Sequence, residues 1–170
     1  METIAESEQP KPVGLSTKRL HGAFYGIAVA VILFDQVTKS LVRANLDMGQ
    51  SFPVEGFFRI THIANSGAAF GLFSNQGIFL SLTAAIGIIA LLVYHRAPYF
   101  SGFIPKLSLG LQLGGAMGNL VDRLRLGSVT DFVDLRIWPV FNLADTAIVL
   151  GVILLAFYVA VIHREPAPEG

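Results

Sequence analysis

The sequence contains no cysteine among its 170 residues. This absence excludes disulfide bonds, catalysis by a thiol, cysteine-ligated zinc and acylation of the chain on cysteine. Charge is also scarce: Asp, Glu, Lys and Arg make up 14% of the residues, and 12 acidic residues balance 12 basic ones. Because the basic residues form no block, the sequence predicts no nucleic-acid partner.

Hydrophobic residues are abundant instead, at 53% of the chain, and they occur in long uncharged runs. Each run is close to the ~20 residues that a bilayer-spanning helix requires. The sequence therefore predicts an all-α membrane protein with one domain over residues 20–163. We place its four transmembrane helices at about 22–44, 76–94, 105–124 and 139–162.

The predicted domain is flanked by two short tails. Residues 1–19 are polar, acidic at first and contain proline, and they lack the basic start of a cleavable signal peptide. We expect a disordered tail there and a second short tail at 164–170. Lys and Arg divide evenly between the two sides of the membrane. Once those inside polar helix motifs are discounted, both termini are expected in the cytoplasm.

Two connections on the opposite side of the membrane contain strand-forming residues. The stretch "FFRITHIANSGAAFGLF" has β-formers before an Asn-Ser-Gly turn, and "SVTDFVDLRIW" mixes β-branched, aromatic and acidic residues. Such patterns are typical of strands. We expect a small sheet-like platform on the membrane surface, from about 50–72 together with the loop 125–138.

Polar residues of three spans converge on one level. At ~1.5 Å of rise per residue, Asp35, Asn119 and Asp145 lie about 20, 21 and 27 Å from the cytoplasmic ends of their spans. Alternating topology places all three in the outer part of the bilayer. Because lipid cannot satisfy polar groups, we expect them to face one another.

Two charged pairs occur within these spans. Asp35 and Lys39 in "DQVTK" are four residues apart, acid first, which favours an ion pair on one helical face. The simpler interpretation is a structural pair in which Lys39 extends to the interface. Asp122 and Arg123 are adjacent, and such a pair is most often a helix-end pair.

The third span carries small residues at helical spacing. Gly110, Gly114 and Gly118 recur every fourth residue, which predicts a face for close packing against another helix. Gly115 and Asn119 belong to a neighbouring stripe that becomes polar outward. Asn119 could equally form a simple hydrogen bond between helices.

The other polar residues of the outer side have simple interpretations. Asn65 can be an ordinary turn asparagine, and a lone histidine such as His62 is more often structural than a ligand. Asp134 can be solvated beside Arg136. No cluster with metal-ligand spacing is visible, so no metal site is predicted.

Asp131 and Asp145 differ from the other acids because neither has a cationic neighbour in the sequence. Two such carboxyl groups brought together share one proton, since one pKa rises while the other stays low. One group can then act as a base toward water and the other as an acid. The pair is a candidate for the chemistry of aspartic proteases, which the residues alone leave open.

The motifs "DQVTK", "NSGAAF", "GGAMGNLVDR", "GSVTDF" and "FNLAD" occur in this order over about residues 20–162. Together they resemble the lipoprotein signal peptidases (signal peptidase II), the bacterial intramembrane aspartic peptidases. The resemblance implies that Asp131 and Asp145 form the catalytic dyad. It implies supporting or substrate-binding roles for Asp35, Lys39, Asn65, Gly115, Asn119, Arg123 and Asn142.

The resemblance also implies an architecture and a substrate. Family members have four transmembrane helices and an extracytoplasmic β-cradle in the bacterial cytoplasmic (inner) membrane. They cleave prolipoproteins on the N-terminal side of the diacylglyceryl-modified cysteine, and the cyclic peptide globomycin inhibits them. We expect a monomer with no cofactor and no metal, in contact with membrane lipids, and with its active site near the extracytoplasmic face.

Two other classes of function remain at this point. A small transporter or proton-coupled carrier would also place acids among helices, but it should show inverted repeats or broken midplane helices, and neither is visible. A non-catalytic scaffold would leave both Asp131 and Asp145 dispensable.

Overall fold

A computed structural model describes residues 16–67 and 76–162. Its α-helices are α1 (Thr17–Asn45), α2 (Gln76–Tyr94), α3 (Phe103–Leu126) and α4 (Leu143–Phe157), and a π-helical turn at Tyr158–Ile162 continues α4. A 3-10 turn at Pro98–Phe100 lies between α2 and α3. The strands are β1 (Ser51–Phe52), β2 (Arg59–Asn65) and β3 (Val129–Asp134).

Parts of the chain for which the sequence makes predictions lie outside the described residues. These are residues 1–15 of the expected N-terminal tail, the expected tail at 164–170, and the end of the β element at 68–72. Residues 17–19 of the expected tail are helical instead, because α1 begins at Thr17.

Helix α3 is the central helix of the described part of the chain, with α1, α2 and α4 packed against it. Its glycines permit this close packing. A Cβ atom on Gly110 would lie 2.9 Å from the Phe24 carbonyl oxygen, and one on Gly114 would lie 2.7 Å from that of Ala28. The expected small-residue face is therefore confirmed, and α1 is the helix that it contacts. The apolar core beside it is formed by Phe24, Ala28, Ile88, Leu109 and Leu113.

Three of the described helices, α1, α2 and α4, are long and apolar enough to cross a membrane. Large apolar side chains on them are exposed, including Phe34 at 66% and Ile86 at 67%. Helix α3 has 24 residues but is not among these span candidates, and many of its side chains are buried against the other helices. Mostly helical structure with membrane-span candidates confirms the coarse fold prediction.

The predicted β element is a three-stranded antiparallel sheet in the order β1-β2-β3. In the register between β2 and β3, Arg59 pairs with Asp134 and Ile63 with Asp131. The register shifts between Ile60 and Ile63, which indicates a bulge. The sheet thereby brings Asn65, at the end of β2, close to Asp131 in β3.

Candidate active site

The first turn of α4 holds Asp145 in a fixed position. Helix α4 begins at Leu143, later than the predicted start at 139, because Asn142 caps it. The Asn142 side chain accepts a hydrogen bond from the Asp145 backbone N–H at 2.9 Å, and the Asp145 carboxylate accepts one from the Asn142 N–H at 3.3 Å. This capping box satisfies two orphan donors and places a carboxylate at the positive end of a helix.

Asp131 is buried, with 2% of its surface exposed, and two asparagines hold its carboxyl group. The Asn142 side-chain amide donates to Oδ1 at 2.6 Å, and the Asn65 side-chain amide donates to Oδ2 at 2.8 Å. Burial raises the pKa of Asp131, the two amide donors oppose that shift, and the nearby negative charge of Asp145 adds to it. Asp131 therefore keeps its proton to a higher pH than an ordinary aspartate.

Asn119 connects the two acids to a buried lysine. Its side-chain amide nitrogen donates to Asp145 Oδ1 at 2.7 Å. Its amide oxygen accepts from the Lys39 ammonium at 2.9 Å and from the Asn142 amide at 3.1 Å. Asn119 therefore makes more than the simple hydrogen bond between two helices that its position alone suggests. Its side chain connects α3 to both α1 and α4.

Lys39 and Asp35 form the ion pair that their spacing predicts, at 2.9 Å. Both side chains are fully buried, so the interpretation in which Lys39 extends to the interface is wrong. The Lys39 ammonium also lies 3.3 Å from Asp122 Oδ2. Asp35 Oδ1 accepts a hydrogen bond from the Ala144 N–H at 3.0 Å, which ties the first turn of α4 to α1.

Asp122 does not form the expected helix-end pair with Arg123. It is 1% exposed and faces inward, where it accepts hydrogen bonds from the Gln36 side chain at 2.9 Å and from the Thr130 N–H at 3.0 Å. Within the part of the chain that the structure describes, no hydrogen bond or ion pair joins the Arg123 side chain to this network. The sequence motifs indicate Arg123 rather than Gln36, although Gln36 directly follows Asp35 in "DQVTK".

Asp134 is also buried, and the interpretation of a solvated carboxylate beside Arg136 is wrong. Its partners are the Arg59 guanidinium, which contacts it from the neighbouring strand, and the Thr61 hydroxyl at 2.9 Å. Arg136 contributes only its backbone N–H. The hydrogen bonds from Arg59 lower the pKa of Asp134 to about 2. Asp134 thus has a structural role, since its carboxylate connects β3 to β2.

His62 has the structural role expected of a lone histidine, because its ring nitrogen Nδ1 bonds the Leu46 carbonyl at 2.9 Å. Among the described residues, no group of three or more potential ligands could hold a metal ion.

Gly115 is required for the approach of α3 to α4, since a Cβ atom there would lie 2.4 Å from the Ala144 carbonyl oxygen.

A cavity of about 310 Å³ opens beside Asp145. Apart from Asp145 and Thr146 its lining is apolar, and it comprises Trp138, Phe141, Asp145, Thr146, Val149 and Leu150. The cavity therefore has one carboxylate in its lining, held by Asn119 and Asn142, and the rest of its space is suited to apolar side chains or lipid.

Most of the residues singled out from the sequence thus lie in one connected network. Hydrogen bonds and ion pairs join Asp35, Lys39, Asn65, Asn119, Asp131, Asn142 and Asp145. Gly115 is outside this network but lies against the first turn of α4. Arg123 has no hydrogen bond or ion pair with the network in the described structure. The arrangement provides two carboxyl groups in different environments, one buried and one beside a cavity, which is suited to acid–base chemistry.

Comparison with known proteins identifies a peptidase family. The family model described as signal peptidase (SPase) II matches residues 27–161. The lipoprotein signal peptidase of Moorella thermoacetica is 50% identical over 148 residues, 86% of this chain and 98% of that protein. The lipoprotein signal peptidase of Halothermothrix orenii is 42% identical over 135 residues, 79% of this chain and 92% of that protein.

Two solved structures of bacterial membrane enzymes, obtained by the in meso method, share the fold. One has a TM-score of 0.77 at 35% identity, covering 82% of this chain and 94% of that chain. The other has a TM-score of 0.75 at 33% identity, covering 87% of this chain and 95% of that chain. By its sequence match over most of its length, the chain belongs to the signal peptidase II family of membrane peptidases.

Proposed function

We propose that this protein is an aspartic endopeptidase of the bacterial inner membrane, and that it removes signal peptides from prolipoproteins with Asp131 and Asp145 as its catalytic pair. One observation carries the proposal: a single residue, Asn142, hydrogen-bonds both acids, Asp131 through its side chain and Asp145 through the capping box. The two carboxyl groups are therefore held together in one site. The names of the relatives support the substrate.

The two acids divide the chemistry according to their environments. Asp131, whose pKa burial raises, holds the proton, and Asp145 acts as the carboxylate. Asp145 accepts a proton from water while the water oxygen bonds to the scissile carbonyl carbon. Asp131 gives its proton to the carbonyl oxygen, and a neutral gem-diol results.

Collapse of the gem-diol completes the cleavage. The carbon–nitrogen bond breaks as the proton on Asp145 passes to the leaving nitrogen, and Asp131 recovers a proton from a diol hydroxyl. Both acids return to their starting states, so the reaction needs no metal or cofactor from the protein. The network behind Asp145, through Asn119 to Lys39, keeps its carboxylate oriented during both steps.

The substrate is a prolipoprotein cut on the N-terminal side of its diacylglyceryl-modified cysteine. The cavity beside Asp145 supports this assignment, because it lies along the membrane-span candidate α4 and has the mostly apolar lining that a lipid-anchored peptide requires. Globomycin-type cyclic peptides would compete for the same space. The protein would act as a monomer among membrane lipids.

The proposed arrangement has four transmembrane helices, both termini in the cytoplasm, and the sheet as an extracytoplasmic cradle over the site. Three apolar spans and the central position of α3 support it. The domain assignment follows: a peptidase domain over residues 20–163 with short cytoplasmic tails on either side. The supporting roles of Asp35, Lys39, Asn65, Gly115, Asn119, Arg123 and Asn142 are part of the same proposal.

Cleavage of a lipidated prolipoprotein peptide tests the catalytic pair. Asparagine is nearly isosteric with aspartate but cannot act as the acid or the base, so Asp131→Asn and Asp145→Asn should each lower kcat by at least about 10³-fold. The double variant should be no worse than the poorer single variant, because the two acids act as a unit. Asp47→Asn, a change of an exposed acid in the loop after α1, is the matched control and should retain parental turnover.

The result that would refute the catalytic pair is specific. If either single variant kept more than a few per cent of parental kcat, that acid would not take part in proton transfer. Circular dichroism of each variant in detergent shows whether a loss of turnover comes from unfolding instead.

A further inference from the structure

The residue directly before Asp131 is held at two points by groups outside the sheet. The Thr130 N–H donates to Asp122 Oδ2 at 3.0 Å. The Thr130 hydroxyl accepts a hydrogen bond from Arg43 Nη1 at 2.9 Å. Thr130 is 4% exposed. The bond from its N–H is buried, where a hydrogen bond is stronger than at a surface, and the bond to its hydroxyl is partly buried.

Arg43 is the common partner of these groups. It lies in the last turn of α1, with 25% of its side chain exposed, and its Nη1 is also 4.0 Å from Asp122 Oδ1. Its Nη2 donates to the Ser40 hydroxyl at 3.0 Å, which fixes the guanidinium plane against α1. One planar side chain thus joins α1, the end of α3 and β3 beside the proposed catalytic acid.

Asp122 has other partners that hold it without Arg43. Lys39 and Gln36 both contact its carboxylate. Removal of the Arg43 guanidinium takes away the contacts with the Thr130 hydroxyl, the Ser40 hydroxyl and the more distant Asp122 Oδ1. It leaves Asp122 bonded to Lys39 and Gln36, and the Thr130 N–H bonded to Asp122. This separation allows the role of Arg43 to be tested without dismantling the buried network.

We propose that Arg43 is a positioning residue, which acts through the Thr130 hydroxyl to fix the direction of the Asp131 carboxyl group relative to Asp145. The inference rests on the proposed role of Asp131 in catalysis. Thr130 and Asp131 are consecutive in β3 and point to opposite faces of the strand, so a rotation of one displaces the other. With Asp131 displaced, the enzyme binds its substrate with unchanged affinity, but Asp131 transfers its proton less efficiently.

The test compares Arg43→Met and Thr130→Val in the prolipoprotein cleavage assay. Each should lower kcat about tenfold, less than the ~10² loss that a full 1 Å misplacement causes, while KM stays within about twofold. The double variant should be no worse than the poorer single one, because both changes remove the same hydrogen bond. Thr130→Ser and Arg43→Lys keep a hydroxyl or a donor and should recover part of kcat.

Arg125→Met is the matched control. Arg125 is an exposed arginine in the last turn of α3, so its loss changes net charge equally and should leave kcat unchanged. A parental kcat in Arg43→Met or in Thr130→Val would overturn the proposal, and so would a change in KM alone or strictly additive losses. Asp131→Asn, assayed in parallel, separates the two ideas: if it is active, the catalytic role of Asp131 fails regardless of Arg43.

Discussion

At the scale of single residues, the site contains several carboxyl groups that are buried or partly buried among the helices, and each has partners that stabilise its charge. A carboxylate at the centre of a membrane helix costs about 2.5–3.5 kcal/mol on insertion scales. Asp145 avoids much of this cost because it lies at the N-terminus of α4, where its carboxylate receives donors from Asn142 and Asn119. Asp35 and Asp122 instead share the Lys39 ammonium, so one cation serves two acids.

This shared cation predicts how Asp35 and Lys39 respond to substitution. If they were only an ion pair, replacing both by neutral residues would restore activity after a loss in either single variant. Asp35 also accepts from the Ala144 N–H, and Lys39 also donates to Asn119. We therefore expect Asp35→Asn with Lys39→Met to be as poor as the worse single variant, with kcat reduced up to about 10²-fold because the catalytic groups are misplaced.

Steady-state cleavage kinetics of the two single variants and the double variant measure this outcome. Recovery of parental kcat in the double variant would reduce the pair to scaffolding and leave the proposed roles of Asp131 and Asp145 unaffected. Circular dichroism in detergent serves as the folding control.

The sequence predicts these residues unequally. The Asp35–Lys39 pair follows from helical spacing within one element, and the structure contains it. The prediction for Asp122 is wrong, because adjacency in sequence favours Arg123. Its observed partners include Lys39 and Gln36 on α1 and the Thr130 N–H in β3. A helix pattern identifies which face is polar, but partners on a second helix depend on how the two helices pack.

At the scale of elements, close approach between helices determines where the acids lie. The four-residue spacing of glycines predicted a packing face on α3, and α1 contacts it. The start of α4 was predicted four residues too early, at 139 rather than at Leu143, because the apolar run continues through Phe141. The Asn142–Asp145 spacing is the capping signal that marks the start.

Gly115 provides the sharpest test at this scale. The added Cβ of Gly115→Ala would lie 2.4 Å from the Ala144 carbonyl oxygen, so α4 must move away from α3. Overpacking of this kind costs about 1–3 kcal/mol, and it displaces the turn that carries Asp145. We expect a lower melting temperature in detergent together with a loss of most of the turnover.

Gly26→Ala is the matched control for Gly115→Ala. A Cβ at Gly26 in α1 meets nothing within 4 Å, so this change should raise helix stability by up to about 1 kcal/mol and leave cleavage intact. If Gly115→Ala had the melting temperature and the turnover of the parent protein, α3 and α4 would be farther apart than the structure places them.

At the scale of the whole molecule, three apolar helices pack against the central helix α3. This position explains why α3 can carry glycines, Asn119 and Asp122 and still belong to a membrane domain. Sequence composition predicted the helical class and the β element, since both depend on local patterns. The register of β2 against β3, which places Asn65 beside Asp131, depends on contacts between residues far apart in sequence.

The absence of cysteine makes the proposed four-span topology directly testable. Single exposed residues can be changed to cysteine and labelled with a maleimide that does not cross membranes. Asp47→Cys and Arg125→Cys should label in intact cells, because the proposal places both residues outside. Ser101→Cys, in the α2–α3 connection, should label only after the membrane is opened.

The comparison of Arg125→Cys with Ser101→Cys decides whether α3 crosses the bilayer, because Ser101 precedes α3 and Arg125 lies in its last turn. At about 1.5 Å per residue, its 24 residues are about 36 Å long, enough for a ~30 Å hydrocarbon core. Complete labelling of all three variants in detergent, with parental cleavage activity, provides the control. If both positions labelled alike in intact cells, α3 would not span the membrane, and the common depth of Asp35, Asn119 and Asp145 would lose its basis.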